Sequence, residues 1–204
     1  IKQIIGKIMG ANSVYCRHPY FYSWLRIDMQ AILRSYLMLF MMGLAVYSSA
    51  FSAVATQYQS NDAFINQAFN GNAGESKVLW LDDDLKQAIE AILAHRFNKM
   101  RMRYWQHNDE TVWIMDEIGK ESPITVAIHI KDHQIVRTKV LVYRESRGDE
   151  VRHDFFTDQF KLAKLDDQHQ LDKHIDGITG ATLSVRALTK LSRIALLLHA
   201  HVVH

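Results

Sequence analysis

The middle of the chain constrains the fold most strongly, because its apolar residues recur at every second position. Residues 100–104 and 124–130 alternate large apolar side chains with smaller or polar ones, and a turn at Asp132-His133 leads straight into another apolar run, 135–143. A period of two is typical of strands that bury one face on a core. The immediate return after a short turn favours antiparallel pairing, so this segment predicts about four antiparallel strands.

Helical spacing of apolar residues precedes and follows the predicted strands. Residues 85–93 are apolar at helical intervals, and the aspartates at 82–84 offer an N-cap and a favourable charge for the first turn. A short helix is predicted over 154–164 and a long one over 181–199, whereas the polar stretch 56–79 is expected to form a linker or a short helix. Helices that flank an antiparallel sheet predict an α+β fold. The inward-facing residues of the long helix are expected to be Val185, Leu188, Leu191, Ala195 and Leu198.

The residues before the predicted domain carry the features of an export signal. Arg34 precedes an apolar run, and Ala53-Val54-Ala55 fits the small-x-small pattern of a cleavage site. Residues 36–55 are also about long enough to span a bilayer, which makes membrane association through them an open alternative. Residues 29–55 are therefore predicted to be a signal peptide or an N-terminal membrane anchor. Residues 1–28 show no sustained period and are expected to be an upstream extension.

Charge and cysteine content argue against several kinds of partner and site. The formal charge is +2, but residues 1–55 hold five Lys/Arg against one acid, so 56–204 is slightly acidic with 19 basic and 21 acidic residues. No nucleic-acid partner is therefore expected. Cys16 is the only cysteine, which leaves the later residues without a disulfide or a thiolate metal site. No metal is expected at the histidines of 199–204 either, because they are not spaced as ligands on one helical face.

One motif carries most of the chemical information, and it stands directly before the last predicted helix. Residues 176–182 read Asp-Gly-Ile-Thr-Gly-Ala-Thr, in which Gly177 and Gly180 permit tight backbone conformations. Thr182 is expected in an exposed first helical turn, where unpaired N–H groups and the helix dipole stabilise a phosphate ester. The plainer interpretation is that Thr179 or Thr182 caps the helix.

The motif resembles the flavinylation motif of the FMN-binding domain found in the NqrC and RnfG subunits of ion-translocating redox complexes. Residues 143–151, followed by Phe160, resemble the segment between that family's last strand and its next helix. The resemblance covers roughly residues 80–200, and the expected FMN-binding domain is 80–204. It implies that a flavin transferase moves the FMN portion of FAD onto the hydroxyl of Thr182, in a magnesium-dependent reaction outside the cytoplasm.

The resemblance and the chemistry of FMN together select a set of cofactor-binding residues. Arg147 and Arg186 are candidate contacts for the phosphate or a ring carbonyl, since Arg186 follows Thr182 by about one helical turn. No catalytic residue and no metal ligand are expected. The full cofactor-binding set is Thr182, Asp176, Gly177, Thr179, Gly180, Ala181, Ser184, Glu145, Arg147 and Arg186. Aromatic residues available either for ring contact or for core packing are Tyr143, Trp105, Trp113, Phe155 and Phe156.

The function implied by the resemblance is that of an exported flavoprotein carrying electrons in an extracytoplasmic or membrane-associated redox chain. Its partners would be the flavin transferase and a membrane oxidoreductase or cytochrome, at the periplasmic face of the inner membrane. Such a protein is an electron-transfer component rather than a stand-alone catalyst. The alternative is a module that holds FMN noncovalently, or that serves assembly or regulation without redox turnover of its own.

Overall fold

The computed structural model describes residues 29–47, 55–72 and 74–203, which fall into two compact units. The described residues of the first unit form one helix, α1 (Met29–Tyr47). Within the described residues, no helix is long and apolar enough to cross a membrane. The predicted extension, 1–28, and positions 53 and 54 of the expected cleavage site lie outside the described residues.

The second unit is built on a six-stranded antiparallel sheet, which confirms the predicted α+β fold. The strands are β1 (Thr56–Gln57), β2 (Glu75–Trp80), β3 (Arg101–His107), β4 (Glu110–Ile118), β5 (Pro123–Lys131) and β6 (Gln134–Tyr143). Their order across the sheet is β1-β6-β5-β4-β3-β2. The strands β3 to β6 are those predicted from the alternation, and β1 and β2 are additional.

The two additional strands lie at the edges of the sheet, within the stretch expected to be a linker or a short helix. β2 pairs only with β3, and its Val78 and Trp80 side chains are 45% and 66% exposed. An edge strand of this kind has no fully buried face, so the apolar alternation that marks the inner strands is weak. The short helix expected in the same stretch is present as α2 (Asn61–Ala68).

Three further helices complete the domain. They are α3 (Asp83–Leu93), α4 (Asp154–Thr157) and α5 (Thr182–Val202). The predicted cap of α3 is confirmed, because an oxygen of the Asp82 side chain accepts a hydrogen bond from the Leu85 N–H at 2.8 Å. The helix predicted over 154–164 is too long: α4 has four residues and continues only as a 3-10 turn to Phe160.

The core lies on both faces of the sheet. One face packs against α3 and α5, and the five residues predicted to face inward on α5 are all buried. The other face carries a smaller cluster in which α2 covers β4, β5 and β6. Trp113 of β4 is fully buried and stacks on Tyr104, with ring centroids 4.7 Å apart. This packing fixes α5 across the inner strands.

Candidate functional site

The 176–182 motif forms a turn that ends at the first residue of α5. Gly180 has a φ of +86°, a left-handed conformation that favours glycine, so the prediction for this residue is confirmed. Gly177 is not among the residues of positive φ, so a left-handed conformation is not what requires glycine at that position. The helix was predicted over 181–199 and begins at Thr182, with Ala181 at the N-cap, so the prediction that Thr182 lies in the first turn is confirmed.

No side chain caps α5, which corrects the interpretation of the motif threonines as caps. The N-cap position is held by Ala181, and no side-chain hydrogen bond is made there. Thr179 precedes this position by two residues, and the left-handed turn at Gly180 separates it from the helix. The first N–H groups of a 21-residue helix are thus left without a side-chain acceptor, beside the exposed Thr182. This arrangement suits an anionic group.

Thr182 lies at the edge of a cleft of about 480 Å³, here called the Thr182 cleft. Three chain segments line it: the turn between β4 and β5, the residues after β6, and the start of α5. Six of the ten predicted cofactor-binding residues line the cleft, namely Glu145, Arg147, Gly180, Ala181, Thr182 and Ser184. Lining residues that the sequence did not suggest are Lys120, Glu121, Ser146 and Leu183.

Glu145 holds the turn between β4 and β5. Its Oε1 accepts hydrogen bonds from the backbone N–H groups of Lys120, Glu121 and Ser122 at 2.6, 2.8 and 2.9 Å. Partial burial alone raises the pKa of Glu145, but these three donors outweigh it and hold the pKa below its ordinary value. A Cβ at Gly119 would lie 2.9 Å from the same Oε1 and 2.9 Å from Ile124 Cδ1, so a side chain there would have to displace both. Glu145 therefore positions one wall of the cleft.

The small residues of the motif allow the loop after β6 to approach α5 closely. The Tyr143 hydroxyl donates to the Arg147 carbonyl at 2.6 Å and lies 3.0 Å from the Ser184 hydroxyl. Gly148 has a φ of +85°, and a Cβ there would lie only 3.2 Å from the Cβ of Ala181. Burial raises the pKa of Tyr143, so the phenol keeps the proton that it donates. A bulkier residue at Ala181 would separate the loop from the helix.

The four remaining predicted residues do not line the cleft. Asp176 is exposed, and its backbone N–H donates to the Gln159 side chain at 2.7 Å, which ties the start of the motif to the loop after α4. Gly177 and Thr179 are exposed within the motif loop. Arg186 is exposed on the turn of α5 that follows Thr182.

The aromatic residues considered for ring contact belong mostly to the core. Trp113, Phe156 and Tyr143 are at most 2% exposed. Trp105 is half-buried on the α2 side of the sheet, and Phe155 is exposed. None of the five lines the Thr182 cleft, so core packing is the role that the described residues support for the three buried rings.

A second concavity of about 320 Å³ adjoins the same turn between β4 and β5 and is here called the apolar cavity. Its polar edge is Glu117, whose side chain is 8% exposed and lies 3.1 Å from His95 Nε2 and 3.5 Å from Lys190 Nζ. A hydrogen bond to the Arg96 carbonyl and the neighbouring Glu117 raise the pKa of His95 against partial burial. Its apolar walls include Leu93, Phe97, Ile118, Pro123, Leu191 and Ile194.

Comparison with known proteins identifies the domain that contains this site. Residues 119–197 match the family model described as the FMN-binding domain. No curated protein and no solved structure matches the chain. The matched range includes every residue that lines the Thr182 cleft. The match assigns residues 119–197 to the FMN-binding domain family, and FMN is the cofactor that it indicates.

Proposed function

We propose that this protein is an exported flavoprotein in which FMN is joined through a phosphoester to Thr182, and which carries electrons in an extracytoplasmic or membrane-associated redox chain. The observation that carries the proposal is the position of Thr182, exposed at the first residue of an uncapped helix. A hydroxyl there is accessible to a modifying enzyme, and the N–H groups of the same turn stabilise the phosphate that it would receive.

The attachment exchanges the phosphoanhydride bond of FAD for a phosphoester bond to Thr182. The Thr182 oxygen forms a bond to the phosphorus of the FMN portion of FAD, the pyrophosphate bond breaks, AMP leaves, and the hydroxyl proton is released. A separate flavin transferase with magnesium would catalyse this step. The role of the chain is to present the hydroxyl, and the loop around Gly180 and Ala181 keeps bulk away from it.

The residues around the cleft have the charges and surfaces that FMN needs. Lys120 and Arg147 line the cleft as cations beside the expected phosphate. Glu145 also lines it, but the backbone donors on its Oε1 direct that oxygen towards the turn. The apolar cavity beyond the turn supplies apolar walls of the kind a flavin ring requires. Glu117, which lies 3.5 Å from Lys190 Nζ, is at its polar edge. Bound FMN would supply one- and two-electron chemistry.

The cellular partners belong to the same proposal. An electron carrier needs a donor and an acceptor, and a membrane oxidoreductase or a cytochrome fits a flavin outside the cytoplasm. Export would follow from the signal-like residues before the domain, whose apolar run forms α1. Purification of the mature protein from the periplasm, followed by N-terminal mass spectrometry, tests export: a start at Thr56 supports a cleaved signal, and an intact 29–55 supports an anchor.

The mode of FMN binding is tested by denaturing electrophoresis of the full chain made with and without an active flavin transferase. The proposal predicts a fluorescent band only when the transferase is present, because the phosphoester survives denaturation. A yellow protein that loses its flavin on denaturation, with the transferase active, would replace covalent attachment by noncovalent binding. A protein that takes up no flavin with or without the transferase would favour an assembly or regulatory role.

A further inference from the structure

The face of the sheet that carries α2 is covered only in part. Phe64 and Ile65 of α2 pack in one cluster with Val112, Ala127 and Leu141, which belong to the inner strands and β6. Within the second unit, the α2 cluster reaches β3 at Trp105, whereas Val78 and Trp80 of β2 on the same face are 45% and 66% exposed. We call this uncovered area the open face; its residues are Val78, Trp80, Arg101 and Arg103, with Lys99 and Arg144 at its margin.

Strand register brings these residues together. Val78 lies opposite Arg103, and Trp80 lies opposite Arg101, so each pair projects from the same side of the sheet. Met102 lies between the two arginines and is buried in the core on the other side. The alternation that buries one side of β3 therefore directs both arginines outward.

The open face is a local concentration of unpaired positive charge. Lys99, Arg101, Arg103 and Arg144 line a concavity of about 480 Å³ that contains one carboxylate, Asp116. None of the four cations forms an ion pair within the described part of the chain. With four cations and one carboxylate, the concavity carries a local excess of positive charge, although residues 56–204 are slightly acidic as a whole.

Asp116 offsets only one of these four positive charges. Its Oδ1 accepts a hydrogen bond from the Thr125 hydroxyl. Arg144 in turn donates from Nη1 to the Pro123 carbonyl at 2.9 Å and to the same hydroxyl at 3.0 Å, which fixes its side chain at the margin of the concavity. Arg101 and Arg103 are exposed and present guanidinium groups whose planar donors match carboxylates.

Apolar and aromatic surface adjoins the cations. Trp80 is 66% exposed, and the Arg101 guanidinium lies 5.7 Å from the centre of its ring. Val78, 45% exposed, adds an aliphatic surface on the same strand. Tryptophan and arginine together are typical of the residues that dominate binding energy in protein interfaces. Charge and apolar surface thus occur on the same face.

The position of β2 favours a polypeptide as the occupant over a membrane or a nucleic acid. β2 is the last strand of the sheet, and its outer edge offers backbone N–H and C=O groups that another polypeptide can pair with. Residues 1–55 of the chain itself are basic, with five Lys/Arg and one acid, so they do not complement this face.

We propose that the open face is a docking surface for an acidic polypeptide, whose carboxylates contact Arg101, Arg103 and Arg144 and whose apolar side chains contact Val78 and Trp80. The surface shares no lining residue with the Thr182 cleft, and it meets the apolar cavity at Lys99 and Asp116, which line both concavities. The inference does not depend on how FMN is attached. It adds a protein-binding function that flavin chemistry does not require.

A fluorescein-labelled peptide of alternating Glu and Val tests this proposal on the full chain. Fluorescence anisotropy is expected to show binding that weakens as salt is added, and Arg101→Glu/Arg103→Glu is expected to weaken it by about tenfold or more at low salt. Trp80→Ser is expected to weaken it by roughly threefold, with less salt dependence, because it removes apolar contact. Circular dichroism checks that each variant is folded.

A matched variant distinguishes binding at the open face from a general effect of net charge. Lys164→Glu/Lys173→Glu makes the same change in net charge at exposed residues outside the open face, and is expected to leave binding unchanged. Equal weakening by both double variants would overturn the proposal, as would no binding of the acidic peptide. Tighter binding to phosphatidylglycerol vesicles or to oligothymidylate, lost in Arg101→Glu/Arg103→Glu, would instead assign the face to a membrane or to nucleic acid.

Discussion

The polar residues Thr182 and His199, at the first turn and near the last turn of α5, differ in exposure and in hydrogen bonding. At the first turn, Thr182 is exposed and no side chain accepts from the backbone N–H groups. Near the last turn, His199 is fully buried, and its Nδ1 lies 2.8 Å from the Thr111 hydroxyl, which accepts from Trp113 Nε1 at 3.0 Å. One end of the helix is open to a ligand and a modifying enzyme, and the other is fixed to the sheet.

This difference suggests that the two ends of α5 have separate roles, one in stability and one in FMN binding. The buried end anchors α5 on β4, so the open end can leave its N–H groups without protein partners and still hold a defined position. Stability should therefore depend mainly on the C-terminal half of α5, and loading with FMN on the N-terminal turn. The following predictions test this difference, in order of decreasing effect on the free energy of unfolding.

The largest effect is expected from two leucines at opposite ends of α5. Leu198 is fully buried and Leu183 is 42% exposed. Leu198→Ala should lower the free energy of unfolding by roughly 2–5 kcal/mol, because it leaves a cavity. Leu183→Ala should change it by less than about 0.5 kcal/mol. Urea denaturation measures both, and equal losses would show that the two ends contribute alike.

The next largest effect is the pH dependence of the free energy of unfolding that His199 causes at the buried end of α5. Burial lowers the pKa of His199 to about 4, so the unfolded chain binds a proton more readily than the folded one. Stability from the neutral imidazole is complete above about pH 6.5 and is lost as the pH falls towards 4, by up to roughly 3 kcal/mol.

Unfolding of His199→Gln, measured between pH 7 and pH 4.5, checks this response. Glutamine keeps a polar group near Thr111 but does not titrate, so the variant should be less stable at pH 7 and should lose less stability on acidification. His201→Gln, at an exposed position on the same helix, is the control and should follow the wild type. A wild type and a His199→Gln variant with the same pH dependence would contradict the assignment.

A smaller effect is expected from the two glycines of the motif. An added Cβ meets no atom within 4 Å at either Gly177 or Gly180, so the two sites differ in backbone conformation rather than in space. Gly180→Ala forces a side chain into the left-handed region and should cost about 1 kcal/mol, and should also reduce FMN loading by moving Thr182. Gly177→Ala should do neither. Thermal unfolding and flavin absorbance of the two variants provide the comparison.

The smallest effect is expected at Glu145. Glu145→Gln retains an oxygen for the N–H donors of the turn but removes the charge that strengthens those hydrogen bonds, so the loss of stability at pH 7 should be roughly 0.5–1 kcal/mol. Because the folded pKa is lowered, the wild-type advantage is present above the ordinary carboxyl pKa and disappears as the pH falls through the folded value. Unfolding curves that differ more at acid pH than at pH 7 would contradict this role.

The sequence predicted the parts of the molecule that depend on local periodicity. The strands β3 to β6 alternate because one face is buried, and α5 begins where the motif meets the helical repeat, so the first-turn position of Thr182 was predictable. β2 was missed because its pairing with β3, rather than a buried face of its own, defines it. The length of α4 was overestimated because the chain turns away after Phe160, and Leu162 adopts a φ of +62°.

Only part of the site could be predicted, because tertiary packing brings the rest together. Lys120 and Glu121 stand some sixty residues before the motif, and the sequence between the strands signals only a turn. Their approach to α5 depends on the hydrogen bonds to Glu145. The capping role expected for Thr179 was wrong because the left-handed turn at Gly180 places Ala181 at the cap.

The measurement that tests the account most directly is intact mass with peptide mapping of the full chain coexpressed with an active flavin transferase. Wild type and Thr182→Ser should carry an added FMN group on residue 182, and Thr182→Ala should carry none while remaining folded. Thr179→Ala should be modified like the wild type, because Thr179 lies outside the helix turn that presents the phosphate. An FMN adduct that persists in Thr182→Ala, or that maps to Thr179, would contradict the assignment of the open end of α5 as the attachment site.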